Sequence, residues 1–195
     1  MGAEKFDMPF SWDRLSERCR DIVQFSQKLG EQYDGPFLVC DYFFVALLQN
    51  EYPLFCFVLD FVGYNVEKSR QNIVNNSCWF DGEADYDDGK IDSSFHTMLE
   101  YGLWRAKQLH RETIVLDDLI LEGLPYFSDL TKSHLVRKEK NVPSYSPGQD
   151  YSHTLPTEQL PTYIDPDENN PWATVEDLLP KFIRAREEAR QELIQ

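Results

Sequence analysis

Asp41 and Asp117 are the two side chains whose chemistry and spacing most invite a ligand. Each opens an apolar stretch, Tyr42 to Leu48 after the first and Leu119 to Leu121 after the second. They lie 76 residues apart, the same offset at which Ser16–Leu48 matches Asp92–Leu124 without a gap. A carboxylate forms charge-assisted, often bidentate, hydrogen bonds with a guanidinium group, so two such groups on a repeated surface can accept basic side chains. Each can equally cap the helix it opens, because the N-terminal end of a helix dipole favours negative charge. Capping alone and capping plus ligand contact are both open to them.

The other chemistry-bearing residues point away from catalysis. Within the acidic linker Asp81 to Asp92, Asp87 to Asp92 resembles the middle of a calcium loop, but with Gly89 at the sixth position Ala84, Tyr86 and Phe95 fall at positions 1, 3 and 12, where oxygen ligands are needed. It therefore reads as a solvated linker, and no metal is expected. His96, His110, His134 and His153 form no pair at ligand spacing. No Gly-x-Ser-x-Gly or Cys-His signature occurs, and no Gly-x-x-x-x-Gly-Lys-Ser/Thr loop. No enzyme activity, ATP hydrolysis or cofactor is expected. Cys19, Cys40, Cys56 and Cys78 lack short metal-type spacing, and the first three sit in apolar runs, the pattern of buried free thiols. Tyr52, Phe55, Phe57, Phe61 and Tyr64 read as core, with a peptide groove as the alternative.

The elements that carry these residues follow from periodicity. Leu15, Cys19, Ile22, Val23, Ser26 and Leu29 recur every three or four residues, which predicts a helix over 12–30, capped by Ser11 or Ser16. Asp34-Gly35-Pro36 ends it, and Asp41 begins what should be the most buried helix. Pro53 opens a third helix through Val62, Gly63 stops it, and 66–75 is a fourth. The second copy repeats the plan: a helix over 93–109, a turn at 110–113 and a short helix over 117–123. The pairs Ile22/Met98, Val23/Leu99, Ser26/Gly102, Val39/Val115 and Leu48/Leu124 carry the match. A helix over 127–138 follows, ending in the basic residues Arg137, Lys138 and Lys140, which suit a helix C-terminus. Six prolines between 143 and 171 mark an extended connector, and 174–195 reads as a last helix carrying Val175, Leu178, Leu179, Phe182 and Ile183.

The fold class is therefore all-α, with two pseudo-symmetric repeats sharing one core. One domain covers 12–138, divided into repeat one (12–76), the acidic linker (77–91) and repeat two (92–138). A Pro-rich linker (139–172) and a C-terminal helix (173–195) complete the chain. A hairpin of amphipathic helices buries its stripe poorly alone, and two copies can bury theirs together. The chain has 195 residues, 42% of them hydrophobic, and a net charge of -15. That charge argues against nucleic acid, whose phosphates need clustered Lys and Arg. No apolar run of membrane-spanning length occurs, and Glu4 and Asp7 spoil a secretory signal, so a cytoplasmic protein without membrane partners is expected.

These residues together resemble the double Clp-N motif, the N-terminal domain of the Clp-family AAA+ unfoldases, over about 13–137. Ser16-Glu17-Arg18-Cys19-Arg20 stands where the family has a Thr-Glu-Arg-Ala-Arg type stretch. Val39-Cys40-Asp41-Tyr42 followed by 43–48 takes the place of Gly-Thr-Glu-His and a Leu-rich helix. Val58 to Tyr64 matches its Val-Leu…Leu-Gly-Val stretch. The resemblance implies a noncatalytic protein-binding module like the substrate- or adaptor-receiving domain of a Clp-type unfoldase, without the ATPase modules. The alternative is a stand-alone accessory or adaptor-like protein that docks onto a Clp protease or unfoldase assembly. It further implies that Asp41 and Asp117 stand where relatives contact the guanidinium of phosphorylated arginine. Val39-Cys40 and Val115-Leu116 replace the family's Gly-Thr pairs, so unmodified Arg-rich segments are the expected ligand ahead of arginine-modified ones.

Overall fold

The computed structural model describes residues 12–32, 40–76, 92–139 and 170–192, and they are all-helical, with no strand among them. The acidic linker over 77–91 and residues 140–169 of the Pro-rich connector lie outside the described residues. The chain divides into two compact units, Met1–Asn50 with Ser77–Asp129, and Glu51–Asn76 with Leu130–Gln195.

The first unit contains two helical hairpins, α1 (Glu17–Gln32) packed on α2 (Cys40–Gln49), and α5 (Ser93–Gln108) packed on α6 (Leu116–Gly123). Corresponding helices begin 76 residues apart, 17 with 93 and 40 with 116. Helix α1 buries one face, Cys19, Ile22, Val23, Ser26 and Leu29, as its three-and-four spacing requires. Helix α2 is buried on every side from Tyr42 to Leu48, which explains why the sequence there shows an apolar run and no polar stripe. Each large side chain so buried contributes about 1.5–3 kcal/mol. Phe43 meets Phe95 of α5 edge-on at 6.3 Å between ring centres. The second hairpin closes tightly at Gly102, where a Cβ would lie 2.9 Å from the Leu119 side chain. At the same offset in the first hairpin stands Ser26, wholly buried, whose hydroxyl finds no partner among the described residues.

The first helix is shorter than its periodicity predicts. Residues 12–14 form a separate 3-10 turn, and the chain is extended at Leu15. There Ile114 N–H donates to Arg14 O at 2.7 Å and Ser16 N–H donates to Ile114 O at 2.9 Å, taking up groups a continuous helix would need. Ser16 then caps α1, its hydroxyl accepting from Cys19 N–H at 3.4 Å. Asp92 caps α5 by accepting from Ser94 N–H at 2.8 Å.

The second unit holds α3 (Pro53–Phe61), α4 (Val66–Asn75), most of α7 (Asp129–Ser133) and α8 (Pro171–Glu192), with α3 and α8 packed together. Gly63 ends α3 as expected, at φ 99, with Tyr64 N–H donating to Leu59 O and Gly63 N–H to Asp60 O, a Schellman closure. Phe55 and Tyr64 are core, while Phe57 and Phe61 are half-buried, stacked at 5.9 Å, and Phe57 meets Phe182 of α8 edge-on. All five apolar residues expected on the last helix are buried.

The predicted helix over 127–138 is a correction. Only Asp129–Ser133 is helical, and the chain beyond is extended, bridged at Arg137 to Tyr64. Val136 N–H donates to Ser69 Oγ at 2.8 Å, Asn65 N–H to Val136 O at 2.7 Å, Lys138 N–H to Gly63 O at 2.8 Å, and Asn72 to His134 O at 2.9 Å. Partners distant in sequence thus outbid the weak helix preference of Ser, His and Val. Lys138 is accordingly no helix end: its ammonium lies 2.7 Å from Asp60 Oδ1 and donates to Asp60 O at 2.9 Å.

Candidate functional site

Asp41 is the second residue of α2, half-buried, in the first turn where the helix dipole favours its charge. Its Oδ1 accepts from Ser128 N–H at 2.9 Å, a contact spanning 87 residues. The adjoining Phe127 ring lies 4.7 Å from Phe44 one turn further along α2. Asp41 thereby ties the segment after the second hairpin to the start of α2. That contact is beyond reach of local pattern, because nothing in the sequence around Asp41 marks Ser128 as its partner.

Asp117 is the second residue of α6 and is 2% exposed. The neighbouring Asp118, which the sequence reading did not single out, does the capping: its carboxylate accepts from Val115 N–H at 2.9 Å. Asp118 is fully buried, and Arg111 clasps it with both guanidinium ends, at 2.9 and 2.7 Å. Arg105 Nε stands 3.4 Å from the same carboxylate. The clasp depends on the turn before it. His110 adopts φ 54, Arg111 N–H donates to Ala106 O at 2.8 Å and His110 N–H to Lys107 O at 3.0 Å, so a Schellman closure of α5 aims Arg111 back at α6. Seventy-six residues earlier, Leu29, Gly35 and Tyr42 stand at the positions of Arg105, Arg111 and Asp118, so no such clasp can form there.

The two carboxylates also act on α1. Burial raises the Cys19 thiol well above its ordinary range, and the charges of Asp118 and Asp117 push the same way against the Ser16 hydroxyl. Burial likewise pushes Cys40 and Cys56 up to about 12. These thiols stay protonated at neutral pH, which makes them packing groups and poor nucleophiles.

Asp41 and Asp117 therefore occupy unlike surroundings, the first half-buried and the second in the interior. Among the described residues, no group of three His, Cys, Asp or Glu side chains could hold a metal ion. No single helix among them is long and apolar enough to cross a membrane. No known protein-family model matches the chain, and a search of characterised proteins gives no significant match.

Proposed function

We propose that this all-helical protein is a noncatalytic protein-binding module, resembling the substrate- or adaptor-receiving domain of a Clp-type unfoldase. The observation that carries the reading is the pair of hairpins in one compact unit whose helices begin at a common offset of 76 residues, with a carboxylate second in α2 and in α6. Two repeats with acidic helix starts suit a ligand that offers Arg side chains. Of the two carboxylates, Asp41 is the one a partner reaches without opening the core, and its contact with Ser128 holds it in place. Asp117 serves from the interior, adding negative potential beneath the second hairpin.

The test is fluorescence anisotropy of an unstructured Arg-rich peptide titrated with the full chain, beside a Glu-rich peptide of equal length. The proposal expects saturable binding of the first alone, weakened by salt and competed by free arginine. Equal binding of both peptides, or none at millimolar protein, would reject it.

A further inference from the structure

Helix α5 leaves one stripe to solvent that the first unit does not use. Tyr101 is 54% and Trp104 59% exposed, side by side at i and i+3, although both are large aromatics that a soluble protein ordinarily covers. Glu100 and Lys107 flank Trp104 on the same face, one turn before it and one turn after, and both are exposed. The stripe thus reads negative, aromatic, positive along the helix.

We propose that this stripe docks onto the same stripe of a second copy of the chain, with the two α5 helices antiparallel about a twofold axis next to Trp104. The sign pattern selects this occupant. In an antiparallel pair, Glu100 of each copy faces Lys107 of the other and the two Trp104 rings meet near the axis. A parallel pair would set Glu100 against Glu100. A twofold contact needs a patch complementary to itself, and a dipolar stripe centred on an aromatic is such a patch. Antiparallel packing also opposes the two helix dipoles favourably.

Size sets the strength. The exposed parts of Tyr101 and Trp104 amount to roughly half of the 150–250 Å² such side chains bury, so four rings and a polar rim fall below the roughly 1,200 Å² of a stable complex. The dimer is therefore a weak, transient one. The net charge of -15 on each copy opposes association at low ionic strength and is screened near 0.15 M salt.

The experiment is sedimentation equilibrium of the full chain from about 20 µM to 1 mM in 0.15 M NaCl. A monomer–dimer equilibrium is expected for wild type, and monomer alone for Trp104→Ser. Glu100→Lys and Lys107→Glu should each weaken the dimer several-fold, and the double reversal E100K/K107E should restore it. All three positions are on the surface, so circular dichroism should show every variant folded. Monomeric wild type at 1 mM, a dimer that survives Trp104→Ser, or a double reversal no better than the singles would overturn the proposal.

Discussion

Replacing Arg111 by Met removes a guanidinium from a fully buried carboxylate and keeps the length of the side chain. Breaking a buried ion pair by deleting one partner costs about 3–5 kcal/mol, because the remaining charge is left in a poor solvent. Two features reduce that figure. Arg105 Nε stays 3.4 Å from Asp118, and Val115 N–H still donates to it. Arg111 itself is 27% exposed, so water already weakens the pair. The expected loss is about 2–3 kcal/mol, or a fall in Tm of roughly 10 °C or more for a unit of this size. Urea unfolding followed by circular dichroism reads it directly. A double-mutant cycle with Asp118→Asn should give a coupling of at least about 1.5 kcal/mol between the two positions. A loss under about 0.5 kcal/mol for Arg111→Met, or additive effects in the cycle, would refute the view that this clasp anchors α6.

Three further outcomes follow from the same geometry. His110→Gly should stabilise by about 0.5–1 kcal/mol and Gly63→Ala should destabilise by about 1–2 kcal/mol, since both positions hold positive φ and no atom lies near a Cβ at Gly63; thermal melts of the two variants should move in opposite directions. In a Cys78→Ser background, the three remaining thiols should react with a disulfide reagent at pH 8 only at the rate of unfolding, and rapid labelling of any of them would contradict their burial. Cys40 and Cys56 have folded pKa values near 12, above the ordinary 9.0, and burial raises Tyr64 above its ordinary 10.0. The unfolded chain therefore releases these protons first, so their contribution is complete below about pH 9 and declines as pH rises; urea midpoints at pH 8 and 10.5 should show the loss, and an increase would reverse the sign of the argument.

What the sequence revealed was whatever local pattern and punctuation encode. The apolar run of α2, the buried face of α8 and the Gly63 stop were legible because each is set by neighbours within a turn or two. The all-helical class followed from the same periodicities. The break at Leu15 and the extended strip after α7 were not legible, because backbone groups there find partners about 70 to 100 residues away. Asp118 escaped notice for a related reason. Its Arg partner lies in a turn aimed by a left-handed histidine, where Gly would be the usual signal, and a Val stands where a capping box has Ser or Thr. Asp41 and Asp117 stand out through the 76-residue offset, but that offset could not show that one is half-buried and the other buried.

That difference makes the central claim testable in one calorimetric series, an Arg-rich peptide titrated into wild type, Asp41→Asn and Asp117→Asn. Asn keeps an oxygen that can accept from Ser128 N–H, so Asp41→Asn should preserve the fold while removing the charge a guanidinium needs. The account predicts that Asp41→Asn weakens binding about 10- to 100-fold, the value of one charged hydrogen bond of about 1.5–3 kcal/mol, and that Asp117→Asn changes affinity less than threefold. Equal affinities for wild type and Asp41→Asn, or a larger loss at the buried Asp117, would contradict it.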